Sequence, residues 1–239
     1  MTHETLTDLL EKAVQAREPL RAFTDAVRLV NGFGDGLDGL VIEQYGRHVV
    51  AQVFDPIWLE QKEALTGFVK DKLNAEYFIV KDRSASAAAA PDAIRFHAWI
   101  EGASSRTVVE ENGLKFEVDL NDGLNTGLFL DMRANRKSVA ALSAGKKVLN
   151  CFSYTCSFGV FCRAAGAASV VNVDISKKVL ERGRKNYELN RVVPTGNEFI
   201  RANAVEYLAR ALKIENGFDM IVLDPPSFAR YEGAIFSVK

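Results

Sequence analysis

The sequence predicts an α/β protein: a parallel sheet in the carboxy-terminal half, preceded by a smaller α+β unit. Two patterns carry this expectation. From Lys147 onward, short apolar strands alternate with amphipathic helices, as in a parallel sheet covered on both faces. Earlier in the chain, short β-rich runs are separated by glycine turns, which suits antiparallel pairing. With 239 residues, 48% of them hydrophobic, the chain suits one large domain or two small ones with a proper core.

From the amino terminus, Leu6, Leu9, Leu10, Ala13 and Val14 recur at helical spacing between Thr5 and Arg17, and Pro19 closes that helix. Ala26–Val30, Leu40–Tyr45 and His48–Val53 read as strands of an antiparallel meander, with a glycine-rich turn at Asn31–Gly36. A helix from about Pro56 to Leu73 and a strand at Tyr77–Val80 complete this unit. Asp82 to Asp92, rich in Ala and Ser before Pro91, reads as a surface loop or tether, or else as an Ala-rich helical turn. Arg106–Glu110, Asn112-Gly113 and Lys115–Val118 spell a hairpin, because Asn-Gly suits the positive φ angles of a type I′ turn. The domain change is expected here, giving domains 1–105 and 106–239. Beyond it the expected strands are Val148–Asn150, Ser169–Asp174, Phe199–Arg201 and Phe218–Asp224. Helices are expected between them at about Ser157–Ala165, Lys177–Asn190 and Ala204–Lys213.

A net charge of −1 and a pI of 6.3 argue against a tail-driven nucleic-acid binder, while leaving room for a local basic face. No apolar run approaches the ~18 residues of a transmembrane helix. Met1–Thr5 lacks the basic and apolar regions of a signal peptide. Cys151, Cys156 and Cys162 lie close together, so reduced thiols packed in a cytoplasmic protein are expected, and no metal site.

In a doubly wound sheet, ligands bind at the carboxyl ends of the strands. The first such end is Asn150-Cys151-Phe152-Ser153-Tyr154-Thr155-Cys156-Ser157, a polar turn whose backbone N–H groups can meet an anionic or polar group. The second ends in Asp174, whose carboxylate suits a ribose diol and equally a helix N-cap. The third reaches Asn203, a possible acceptor for an adenine amino group and also a natural cap or turn residue. The fourth ends in Asp224-Pro225-Pro226-Ser227, a rigid acidic turn; two prolines directly after a buried strand need a reason. A dinucleotide site would need Gly-x-Gly-x-x-Gly, which is absent. S-adenosylmethionine has no pyrophosphate and tolerates Ser153, Thr155 and Ser157 in that turn, so it is the expected cofactor.

Five segments carry a family resemblance: Arg28–Gln52 with its Gly36–Leu40 turn, Asn112-Gly113-Leu114 onward, Thr126–Arg136, Val148–Thr155 and Asp224–Arg230. Together they resemble the large-subunit ribosomal RNA cytosine-C5 methyltransferase I family, over most of the chain from about residue 25. The resemblance implies a Rossmann-like class I methyltransferase sheet after a small α+β domain, acting on cytosine C5 of large-subunit ribosomal RNA. Alternatives are guanine or a small molecule as substrate, or a non-catalytic RNA- or cofactor-binding remnant. By position, Asn150, Phe152, Ser153, Tyr154 and Thr155 would surround the methionine portion of the cofactor, and Asp174, Ile175 and Ser176 the ribose. Asn203 and Ala204 would meet the adenine and Asp224 the methyl-transfer edge, while Phe129, Asp131, Arg133 and Arg136 would wall the site from the preceding loop. Arg136, Lys137, Pro225, Pro226, Ser227 and Phe228 are the candidates for RNA contact. A second basic cluster, Lys177, Lys178, Arg182, Arg184 and Lys185, falls on one helix.

The chain departs from the family at Met132, usually glutamine, Asn125, usually lysine, Cys156-Ser157, usually a glycine pair, and Asn203, usually aspartate. The family has a PUA domain before the segment seen here and three further strands after it, the latter bearing a nucleophilic cysteine. The chain therefore reads as a truncated member, with Met220–Leu223 an unprotected edge that a partner segment or second copy completes.

Overall fold

The computed structural model describes residues 4–84, 94–123, 125–211, 213, 217–226, 228–231 and 234–237, the last two stretches by backbone alone. The architecture is α/β, as expected, in two compact units, Met1–Leu130 and Asp131–Lys239.

In the first unit, helix α1 (Leu6–Arg17) starts at a capping box in which Thr5 Oγ1 accepts from Asp8 N at 3.2 Å and the Asp8 carboxylate accepts from Thr5 N at 2.9 Å. Pro19 lies in a 3-10 turn, Glu18–Ala22, that carries the chain off the helix. Strands β1 (Ala26–Asn31), β2 (Leu40–Tyr45), β3 (His48–Val53), β4 (Tyr77–Asp82) and β5 (Arg95–Ile100) form one mixed sheet in that order. β1 to β3 pair antiparallel, but β4 runs parallel to β3, because helices α2 (Ile57–Glu60) and α3 (Lys62–Leu73) return the chain to the starting end. The single helix expected at 56–73 is thus two, broken at Gln61.

Strand β5 was not anticipated. Arg95, Phe96, His97 and Ala98 are all exposed, so this strand lacks the apolar alternation by which the others are recognised. The expected loop at 82–92 falls largely on residues 85–93, outside the described residues.

Strand alternation sorts the two faces of this sheet. Leu40, Ile42, Val49, Ala51, Val53, Phe78 and Val80 pack with Leu10, Ala13, Leu65, Phe68, Val69 and Leu73 of the helices into one core. Each such side chain contributes roughly 1.5–3 kcal/mol when fully buried. The opposite face is polar: Arg28 pairs with Glu43 at 2.8 Å, Tyr45 Oη donates to Glu43 Oε2 at 3.0 Å, and Lys81 Nζ donates to the Gly123 carbonyl at 2.8 Å.

Strands β6 (Arg106–Glu111) and β7 (Leu114–Asp119) form the expected hairpin, turning at Asn112 and Gly113 with φ of 50° and 80°. The hairpin is tied to the first unit: Asp25 N donates to Glu110 O at 3.2 Å and Asn112 N to Phe23 O at 2.7 Å. The division between units therefore falls at 130/131, against the expected 105/106, because the Asn-Gly turn marks a hairpin and carries no information about which core it joins.

The second unit holds four parallel strands in the order β10-β9-β8-β11 (Phe199–Arg201, Ser169–Asp174, Lys147–Cys151 and Met220–Leu223). Helices α5 (Ser157–Ala164), α6 (Lys177–Leu189) and α7 (Ala204–Ala211) connect them, and α4 (Arg133–Ala141), also unanticipated, precedes β8. The chain steps outward from β8 to β10 and then returns to the far side of β8 at β11, so its order reverses between β8 and β11. β12 (Phe228–Tyr231) and β13 (Ala234–Ser237) pair as a hairpin.

Candidate functional site

Register sets the strand ends in a row. Cys151 pairs with Val173, Asp174 with Arg201 and Leu223 with Cys151. Phe152, Asp174, Ala202 and Asp224 consequently leave the sheet at one edge, and the reversal between β8 and β11 opens a crevice there.

The turn leaving β8 is strained. Phe152, Tyr154 and Cys156 have φ of 54°, 47° and 60°, alternate left-handed residues that all carry a Cβ. Each costs roughly 1–2 kcal/mol, so neighbouring structure must impose this backbone. Asp174 Oδ2 accepts from Tyr154 N at 2.9 Å, Ser153 N donates to Val173 O at 3.0 Å, and Cys156 N donates to Ser153 O at 2.7 Å. From α6, Asn186 Nδ2 donates to Thr155 O at 3.0 Å. Gly183 backs directly onto the turn: a Cβ there would collide with Cys156 Sγ and stand 3.0 Å from Cys156 Cβ. Helix α6 is thus the template against which the turn is shaped.

Asp174 joins the first two tips. Its other oxygen, Oδ1, accepts from Ser176 N at 2.9 Å, and the N-cap of α6 is Ser176, whose Oγ accepts from Val179 N. Asp174 is therefore not itself the cap. Burial raises its carboxyl above the ordinary range, only partly offset by the Ser176 and Tyr154 N–H groups. Asp224 is half-buried and is also raised, first by burial and then by the Asp131 carboxylate, while Arg136 opposes the shift. The start of this unit thus meets the fourth tip, with two carboxylates near enough to repel.

Several expected site residues are placed differently. Asn150 points into the sheet: its Nδ2 donates to Asn172 Oδ1 at 2.9 Å, and Asn172 Nδ2 donates on to Tyr187 Oη at 2.9 Å, all three buried. The side chain of Thr155 is fully buried, so only its backbone lies along the turn. The Asn203 carbonyl is spent as the N-cap of α7, accepting from Val205 N at 2.9 Å and Glu206 N at 3.4 Å, which leaves its NH₂ group to donate. Ala204 is buried in the first turn of that helix, and Ile175 is half-buried, its carbonyl accepting from Arg201. Arg136 is no surface cation: it is 1% exposed, with its guanidinium 6.0 Å from the Phe161 ring centroid, so it is withdrawn as an RNA contact. Its charge in the sequence concealed its place on the inner face of α4. Asp131 and Lys137 are exposed, Arg133 and Pro225 half-buried, and Pro226 exposed. Phe129 belongs to the first unit and is 41% exposed. Ser227 lies outside the described residues, as does the side chain of Phe228. In the second basic cluster Lys177, Lys178, Arg184 and Lys185 are exposed, and Arg184 also covers Phe199 at 4.3 Å.

Sequence reasoning missed Asn172, Gly183, Asn186 and Tyr187. A glycine inside an amphipathic helix, costing about 1 kcal/mol against alanine, was the available signal for Gly183.

The three cysteines are buried and free. Burial pushes Cys151 and Cys162 up to about 11, and Cys156 further up. In folded protein at pH 8 none of the three should react with a disulfide reagent during a brief exposure, whereas all three should react in urea. A fast-reacting thiol in the native state would contradict this packing.

The raised carboxyl of Asp224 has a pH consequence. Its folded value lies above the ordinary ~3.9, so its contribution to stability is full below that pH and is lost as pH rises through the folded value. Asp224→Asn should therefore match the native protein in urea titrations at low pH and exceed it near neutrality; a constant difference across pH would contradict the assignment.

The S-adenosylmethionine-dependent methyltransferase family model matches residues 84–237. The ribosomal RNA large subunit methyltransferase I of Aeromonas salmonicida is 37% identical over 225 residues, 92% of this chain and 56% of that protein. The ribosomal RNA large subunit methyltransferase K of Neisseria meningitidis is 37% identical over 196 residues, 77% of this chain and 53% of that protein. Among solved structures, SMU.776 complexed with SAH superposes with a TM-score of 0.84 at 28% identity, covering 99% of this chain and 62% of that one. The chain thus spans a little over half the length of the curated relatives it matches.

Proposed function

Because the chain belongs to the S-adenosylmethionine-dependent methyltransferase family, we propose that it holds this cofactor at the tips of β8, β9, β10 and β11 and takes part in methyl transfer to large-subunit ribosomal RNA, with cytosine C5 as the target. The observation that carries the reading is the register that brings Phe152–Cys156, Asp174, Asn203 and Asp224 to one edge.

The residues present fit the cofactor. Asp174 meets the backbone N–H groups of Tyr154, Ser176 and Ile175 and, with about four acceptor sites, keeps capacity for a ribose hydroxyl, with Ile175 and Ser176 beside it. Phe152, Ser153 and Tyr154 are assigned to the methionine portion; Ser153 N and Tyr154 N are bonded to Val173 O and Asp174, so the N–H groups that suit it are those of the first turn of α5. Asn203 and Ala204 sit where the adenine would lie, with Asn203 as donor. Burial and the Asp131 carboxylate raise the cost of ionising Asp224, and a sulfonium cation beside it would relieve that cost. The cofactor supplies an electrophilic methyl group; the protein's part is to hold the acceptor base against the Asp224-Pro225-Pro226 turn and exclude water. Arg133 is assigned to the wall of the site, and Lys137 and the Pro225–Phe228 segment to the RNA.

Methylation at C5 needs a thiolate that adds to C6. Cys151, Cys156 and Cys162, buried and protonated, do not supply it, so the C5 reading calls on a cysteine other than these three. Edge strand β11, with Ile221 53% and Leu223 56% exposed, is where we place a further strand, from another segment or from a second copy. No helix among the described residues is long and apolar enough to cross a membrane, and the reduced, buried thiols fit the cytoplasm we assign.

Calorimetry with S-adenosylmethionine, followed by radiolabelled methyl transfer to unmodified ribosomal RNA and nucleoside analysis, tests the proposal. Label in 5-methylcytidine supports it. Label in guanosine keeps the enzyme and moves the target. Cofactor binding without transfer leaves a binding remnant, and transfer to free metabolites alone rejects the RNA.

A further inference from the structure

The polar face of the first unit's sheet carries a further row of side chains at its strand ends. Gln52, Lys81 and Phe96 stand side by side there on β3, β4 and β5. Phe54 and Arg83 extend the row. Arg83 N donates to Val53 O at 2.8 Å, its Nη1 donates to Gln52 Oε1 at 3.2 Å, and its guanidinium carbon lies 4.7 Å from the Phe54 ring centroid. Lys81 Nζ lies 5.8 Å from the Phe96 centroid. Each ring is thus backed by a cation, yet Phe54 remains 46% and Phe96 40% exposed.

Core packing does not call for two exposed rings on adjacent strand ends of one face. Unpaired bases do, since every base offers a flat π surface, and the arginine beside Phe54 suits the phosphates between bases. A sheet with helices on one face and aromatics on the other is a general way to take single-stranded RNA. From strand spacing, the rings are on the order of 12 Å apart, too far for neighbouring stacked bases but within reach of one strand.

We propose that Phe54 and Phe96, with Arg83, form a stacking platform for single-stranded RNA on the first unit. The proposal rests on the RNA methyl-transfer reading for its ligand, but not on the cofactor site. It accounts for RNA contact where Arg136 does not provide it.

The test uses the full chain and a short fluorescein-labelled single-stranded RNA of mixed sequence, followed by anisotropy, with the same sequence as a duplex in parallel. Phe54→Leu and Phe96→Leu keep apolar bulk and remove the flat ring. Each should weaken single-strand binding by about tenfold and the pair by more, with duplex binding and calorimetric affinity for S-adenosylmethionine unchanged. Undiminished single-strand binding by the double variant, or none by the native chain, overturns the platform. Failure of the native chain to bind S-adenosylmethionine sinks the methyltransferase reading instead, and the RNA titration still decides the platform by itself.

Discussion

Asp174→Ala is expected to reduce affinity for S-adenosylmethionine by at least about tenfold in calorimetry. A hydrogen bond to a charged group, here from a ribose hydroxyl to this carboxylate, is worth about 1.5–3 kcal/mol, where about 1.4 kcal/mol is tenfold. The substitution also strands Tyr154 N and Ser176 N, which the same carboxylate holds. The β8 turn should loosen with it, adding to the loss. Asp174→Asn retains one acceptor but turns an NH₂ group toward one of those two N–H donors, so its effect should approach that of alanine. Native-like affinity in either variant, with normal folding by circular dichroism, would remove Asp174 from the cofactor site.

Gly183→Ala is expected to have the next largest effect, on stability and cofactor affinity together. Forcing one carbon into a packed interior costs about 1–3 kcal/mol, and here the added carbon meets Cys156 Sγ and Cβ and, at 3.4 Å, the Thr155 carbonyl carbon. The turn is the yielding side, since α6 is held by its cap and by Asn186 and Tyr187. Cys156→Gly supplies both the missing room and a residue suited to φ of 60°. The double variant should recover much of what Gly183→Ala loses, giving a coupling of about 1–2 kcal/mol in urea titrations. Strict additivity would mean that helix and turn do not press on one another.

The parallel sheet was legible because buried strands and amphipathic helices write their periods into the sequence, and the four strand tips followed from that order. Side-chain direction was not. Asn150 reads as a polar tip residue, yet its register with Asn172 turns it into the sheet. Arg136 reads as a basic surface residue, yet it is the largest fully buried side chain. Asn203 was open between cap and ligand contact, and its carbonyl went to the cap. Strand β5 was lost because it exposes what a strand normally alternates. In each case the deciding partner lies far along the chain, where local pattern carries no information.

The backward-wound Phe152, Tyr154 and Cys156 set durability against grip. Glycine at any of the three would sit there without protest, so a screen for heat tolerance should be drawn to these sites. Survivors of such a screen would tend to grasp their ligand less firmly, because the rings and thiol discarded are also what keep the loop in one shape.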